Sequence, residues 1–223
     1  MKLLEYADAE MMAIDLANVL AGELAGVLMH EERATLIVPG GSTPGPIFDA
    51  LCAADLDWAR VDVLLSDERW VPVEDARSNA RLIAERLLTG RAAAARFVPY
   101  YTGAARPDED LAEVETLLAP MLPASVALLG MGADMHTASL FPGAIGLAEA
   151  LDSDAPILVP IHAPGVAEAR VTLSARVLRE ALAVHVVVTG VQKREALERA
   201  RKLLAEEAPI AAVLDVAVVH WAP

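Results

Sequence analysis

SVALLGMGADMHTASLFPG, Ser125 to Gly143, decides the fold. Ser125 to Leu129 is an apolar run of the length of a buried strand. It breaks at once into Gly130, Gly132, Asp134, His136, Thr137 and Ser139. Open α/β sheets build their binding crevices at strand ends of this kind. Histidine is the usual side chain for moving protons near neutral pH. Gly130 and Gly132 let the backbone approach a ligand closely or take a positive φ.

The same strand-then-polar-loop pattern recurs along the chain. Thr35–Val38 runs into PGGSTPG, Val61–Leu65 into SDERWVP, and Val184–Val188 (VHVVV) into TGVQK. Arg96–Pro99, Ile157–Ile161, Val171–Leu173 and Val216–His220 also read as strands. Helical apolar spacing covers Asp8–His30, through Met12, Leu16, Val19, Leu20, Leu24 and Val27. Further helices are predicted over Pro44–Cys52, Ser78–Leu88 (capped by Ser78 or Asp75), Asp108–Met121 and Gln192–Glu207. Strands alternating with helices predict an α/β, Rossmann-like fold with a mostly parallel sheet covered on both faces. Near-continuous apolar strands such as VHVVV agree with that. No linker or repeat divides the 223 residues, so one domain over 1–223 is expected.

Composition narrows the function classes. Hydrophobic residues make up 55% and aromatics only 4%, so Ala, Leu, Val and Ile must build the core. The mean hydropathy is +0.41, yet the longest uncharged stretch, Thr116–Ala133, is broken by Pro120 and Pro123, and no membrane span is expected. Glu5, Asp8, Glu10 and Asp15 do not suit a secretory signal. The single cysteine, Cys52, excludes an internal disulfide and reads as a buried small hydrophobe; a cytoplasmic protein is expected. The net charge of −14 disfavours binding to nucleic acid or an anionic membrane. An anionic substrate must then be held by a local group of cations against the global field.

Each polar loop has a functional and a plain reading. Gly40, Gly41, Ser42 and Thr43 form either an anion-binding turn, with backbone N–H groups and hydroxyls as donors, or simply a tight turn; neither GxxxxGK[ST] nor GxGxxG is present in this loop. Asp67 and Arg69, with Ser78 and Asn79 beyond them, either orient a substrate hydroxyl or water and supply a planar cation, or form a solvated charge cluster. His136, with Asp134 fixing its tautomer, is either a proton-transfer group or a satisfied histidine. Lys193 falls in the first turn of a helix, where a cation is disfavoured unless it shares an anion with the helix end. Arg170 is a further clamp candidate or a surface arginine. His30, His162, His185 and His220 are weaker candidates, and the five histidines form no compact metal pattern.

PGGSTP, SDERWVP followed by SN, GMGADMHTASLFPG, RVTLS and TGVQK together resemble the 6-phosphogluconolactonase family. That family lies within the larger fold group of glucosamine-6-phosphate deaminase and ribose-5-phosphate isomerase. The matches span Pro39 to Lys193; HTASLFPG with DERWVP is highly specific, whereas PGGSTP and GxxK are shared more widely. The resemblance implies hydrolysis of a phosphosugar lactone, 6-phospho-D-glucono-1,5-lactone, without metal or organic cofactor and without an obligate protein partner. It makes His136 the general base, supported by Asp134. It places Gly41, Ser42, Thr43, Arg170 and Lys193 around the phosphate, and Asp67 and Arg69 near the sugar.

One position departs from the family's usual Asp-Gly-His: here it reads Asp134-Met135-His136. If the position needs a positive φ, Met135 strains the loop. If it marks a close contact, the Met135 side chain narrows the pocket. Activity with altered kinetics is expected in either case. The nearest rival is an amino-sugar phosphate deaminase, but after His136 the chain continues Thr137-Ala138-Ser139-Leu140-Phe141-Pro142, with no acid until Glu149. The deaminases usually carry Phe-Asn-Glu-Pro there. A sugar-phosphate sensor of a transcription regulator is the rival from another class. It would need a DNA-binding partner domain, and the charge of −14 argues against it.

Overall fold

Apolar runs buried on both sides pair into a seven-stranded sheet, and every pairing within it is parallel. The computed structural model describes residues 1–163 and 168–223. In chain order the elements are β1 (Lys2–Glu5), α1 (Ala9–Leu28), β2 (Ala34–Val38), α2 (Gly45–Leu51), β3 (Val61–Leu65), β4 (Asp67–Arg69) and α3 (Asn79–Arg86). They continue with β5 (Arg96–Phe97), α4 (Leu111–Leu118), β6 (Val126–Gly130), α5 (Leu147–Leu151), β7 (Leu158–Ile161) and β8 (Arg170–Leu173). The chain closes with α6 (Ala175–Arg179), β9 (Ala183–Thr189), α7 (Val191–Ala200), α8 (Ala211–Leu214) and β10 (Ala217–Ala222).

The strand order is β1-β10-β9-β6-β2-β3-β5. From β2 the chain steps to β3 and β5 on one side, then returns through β6, β9 and β10 on the other. The loops after β2 and β6 therefore diverge and open a crevice at the carboxyl ends of adjacent strands. Val184, Val186 and Val188 of β9 are buried, and so are His185 and Val187. Successive side chains point to opposite faces, so both faces of the sheet are covered, as the valine run predicts.

α1 holds one face down through Met12, Leu16, Leu20 and Leu24, each nearly or wholly buried. Each such side chain contributes about 1.5–3 kcal/mol of transfer free energy. By length and apolarity alone α1 is also long enough to cross a membrane, with a mean hydropathy of 1.5 over its most apolar window. The expectation drawn from Thr116–Ala133 did not consider this segment. Its apolar stripe is spent on the protein core.

Other expectations change in detail. A second, three-stranded antiparallel sheet, β4-β8-β7, stands apart from the main one. β4 follows β3 after Ser66 alone, too short a run to read as a separate strand. α4 is shorter than Asp108–Met121, because Pro107 and Pro120 convert its ends to single 3₁₀ turns. α7 stops at Ala200 rather than Glu207. Beyond it Leu204 is largely exposed, while Leu203 packs against the core from the turns that follow. Cys52 is half-buried at the end of α2, not fully buried, and its thiol donates to Asp49 O at 3.3 Å.

Candidate active site

A cleft of about 240 Å³ lies over the carboxyl ends of β9, β6, β2 and β3. Gly40, Gly41, Ser42, Thr43, Asp67, Arg69, Asn79, His136, Arg170 and Lys193 all line it. Asp134 does not line it but contacts His136 from outside. These ten residues and Asp134 are thus brought to one place or directly behind it. His30 and His162 are exposed and lie outside the cleft.

The His136 loop is built for one imidazole orientation. His136 Nδ1 lies 2.5 Å from Asp134 Oδ1, and the His136 backbone N–H donates to the same oxygen at 3.3 Å. The carboxylate places the ring proton on Nδ1 and leaves the Nε2 lone pair available. Phe141 packs on the ring with centroids 4.4 Å apart. Gly132 is required by this contact: a Cβ there would sit 2.2 Å from His136 Nδ1 and 2.5 Å from Asp134 Oδ1. Gly132 and Gly130 do not take positive φ, but both line the cleft.

Positive φ falls instead on Met135, at 67°, and on Ala138, at 49°. The strain reading of Met135 therefore holds. The pocket-narrowing reading does not: the side chain packs half-buried against the core and is not among the residues lining the cleft. Its carbonyl accepts from Ile210 N at 3.0 Å, which ties the loop to the segment before α8. Met135→Gly is expected to be more stable than Met135→Ala by about 1 kcal/mol, because both lose the packing and only glycine loses the strain. Urea unfolding of the two variants measures this; equal stabilities would remove the strain.

The second sheet supplies the cations. β4 pairs antiparallel with β8, setting Asp67 opposite Thr172 and Arg69 opposite Arg170. Two guanidiniums side by side repel, and an anion between them relieves the repulsion. Arg170 is held below the usual guanidinium range, first by burial and then by Arg69. Its Nε is buried without a hydrogen-bond partner among the described residues, and its guanidinium lies over the Phe141 ring at 5.1 Å. Glu168 faces Arg69 and Arg170 at 3.9 Å each and Arg77 at 3.2 Å, partly neutralising the group. Lys193, half-buried in the first turn of α7, faces the same cleft. These cations give the cleft a local positive group within a chain of net charge −14.

Two residues that matter to this geometry escaped the sequence reading. Glu68, only 1% exposed, points away from the cleft because side chains alternate along β4. It accepts from Arg69 N, Asn79 N, Ala80 N and Ser78 Oγ at 2.7–3.0 Å. Burial pushes its carboxyl up, opposed by those donors. Ser78 also caps α3 by accepting from Arg81 N at 3.2 Å. Asn79, pinned in this way, donates to Asp67 O at 2.8 Å and accepts from Arg69 Nη1 at 3.3 Å. It presses on Gly40 so closely that a Cβ there would lie 2.0 Å from its Oδ1. The second missed residue is Ser139, whose Oγ donates to Asp67 Oδ2 at 2.6 Å. The alternation of DER carries the signal for Glu68, whereas nothing local in HTAS marks Ser139.

Residues 7–221 match the family model described as Glucosamine-6-phosphate isomerases/6-phosphogluconolactonase. A 6-phosphogluconolactonase of Pseudomonas putida is 40% identical, over 100% of this chain and 93% of its own. The crystal structure of a 6-phosphogluconolactonase from Shewanella baltica superposes with a TM-score of 0.96 at 30% identity, covering 100% of this chain and 98% of that one. A monomeric glucosamine-6-phosphate deaminase, 16% identical, covers 100% of this chain and 97% of its own with a TM-score of 0.82, and shares the fold. The chain belongs to the glucosamine-6-phosphate isomerase/6-phosphogluconolactonase family.

Proposed function

We propose that this chain is a carboxylic ester hydrolase that opens 6-phospho-D-glucono-1,5-lactone to 6-phospho-D-gluconate, the lactonase step of the oxidative pentose phosphate pathway. The observation that carries the reading is the His136–Asp134 pair at 2.5 Å, set in a cleft lined by Arg69, Arg170 and Lys193. His136 Nε2 takes a proton from water as the water oxygen attacks the lactone carbonyl carbon. The tetrahedral intermediate then collapses, the bond from that carbon to the ring oxygen breaks, and the imidazolium returns the proton to the departing oxygen. Such acid–base help is worth about 10²–10⁴-fold in rate. Arg170, Lys193 and the donors of Gly40–Thr43 hold the phosphate. Asp67 and Arg69 line the sugar end, where the Asp67 carboxylate accepts from a substrate hydroxyl.

The test is hydrolysis of freshly generated lactone, coupled to 6-phosphogluconate dehydrogenase and corrected for spontaneous opening. A rate well above the blank is expected. A rate at the blank together with ammonia release from glucosamine 6-phosphate would replace the lactonase with a deaminase.

A further inference from the structure

Asp67 is buried at the cleft wall, and both of its carboxylate oxygens already hold a serine hydroxyl. Ser66 Oγ donates to Oδ1 at 2.8 Å and Ser139 Oγ to Oδ2 at 2.6 Å. Ser139 is wholly buried and lies three residues beyond His136 in the same loop. The left-handed turn at Ala138 swings its side chain away from the imidazole and toward β4. Its backbone N–H meets Thr172 Oγ1 at 3.4 Å, and Thr172 is the β8 residue paired with Asp67. A buried serine can usually satisfy its hydroxyl on a nearby backbone carbonyl. Here the hydroxyl instead meets a carboxylate that faces the cleft, from a loop on another strand end.

We propose that Ser139 is a positioning residue for the reaction: its hydroxyl fixes the plane of the Asp67 carboxylate and turns the remaining acceptor lone pairs toward a substrate hydroxyl. An ionised carboxylate only accepts, and each oxygen has more than one lone pair. With one donor on each oxygen the plane is set, and the remaining acceptor capacity is turned to the cleft. The short Oγ–Oδ2 distance is that of a charge-assisted bond. The same bond ties the loop that carries His136 to the strand that carries Asp67, so the base and the hydroxyl acceptor keep one mutual position. This rests on the role of Asp67 given under the proposed function.

The experiment is a double-variant cycle of Ser139→Ala with Asp67→Asn, with Ser139→Cys alongside. Ser139→Ala is expected to lower kcat/KM by roughly tenfold to a hundredfold, the size of one lost charge-assisted bond. Ser139→Cys, which keeps a weak donor at the same place, should fall between it and the wild type. In the Asp67→Asn background Ser139→Ala should cost no more than about twofold. Wild-type kcat/KM in folded Ser139→Ala would overturn the proposal, as would an equal loss in both backgrounds. If Ser139→Ala does not fold, Ser139→Cys decides by its kcat/KM in the wild-type and Asp67→Asn backgrounds. Calorimetric affinity for 6-phosphogluconate, measured on the same proteins, separates this proposal from the lactonase reading. A wild type without turnover sinks the lactonase reading, while non-additive binding losses would still support Ser139.

Discussion

His136→Ala is expected to lower kcat/KM for the lactone by about 10²–10⁴-fold while leaving the protein folded. The side chain is 30% exposed, so its truncation opens no core cavity. Its Nδ1 is committed to Asp134, which leaves Nε2 as the only ring atom free to take a proton. The groups proposed to hold the phosphate come from other elements: Arg170 from β8, Lys193 from α7 and Gly40–Thr43 from the loop after β2. Affinity for 6-phosphogluconate should therefore change little, and the loss should fall on kcat. Asp134→Asn should lose less, because the ring remains but its tautomer is no longer enforced. Coupled assays give the rates, calorimetry the affinity, and a thermal melt shows that the variant is folded. Equal rates in wild type and His136→Ala, both above the blank, would remove His136 as the base and make Asp67 the next residue to replace.

The sequence reading anticipated which residues the cleft gathers, because each of its loops follows a strand with an unmistakable apolar run. Val38, Leu65, Leu129 and Val188 are all buried, and the polar residues beyond them point the way to the cleft. The fold class was legible for the same reason. What stayed hidden depends on pairing between distant segments. β4 is three residues long and makes sense only against β8, and that pairing is what sets Arg69 beside Arg170. Ser139 acts on Asp67 across the gap between two loops, which no local pattern encodes. Ala138 carries a positive φ with an ordinary side chain, where residue type gives no warning, whereas Met135 stood out only against the family's usual glycine. His185 and His220 looked idle because they are far apart in sequence.

The β9–β10 pairing brings those two histidines together, and their contact predicts a large loss of stability in mild acid. Tyr6 Oη lies 2.9 Å from His220 Nδ1, His220 Nε2 lies 3.0 Å from His185 Nδ1, and His185 Nε2 lies 2.8 Å from Glu23 Oε2. With Glu23 accepting, one self-consistent direction runs along the whole chain. His185 donates to Glu23, His220 donates to His185, and Tyr6 donates to His220, with both rings neutral. His220 is fully buried, and its pKa is pushed from 6.5 down to about 4, first by burial and then by His185 and Lys2. The unfolded chain binds this proton near pH 6.5, whereas the native protein refuses it until about pH 4. The stabilisation is therefore complete above about pH 6.5 and is lost as the pH falls toward 4. Across that window the gap is worth about 3 kcal/mol, a large share of a typical domain's stability. Urea unfolding at pH 7 and pH 4.5 of the wild type and His220→Gln isolates the effect. Protonation of ion-paired carboxylates lowers both proteins alike, so the difference between them is the informative quantity. The variant should be the less stable at pH 7, and its deficit should shrink by about 2–3 kcal/mol in acid. Parallel stability losses in the two proteins would mean that His220 takes up its proton in the native state as readily as in the unfolded chain.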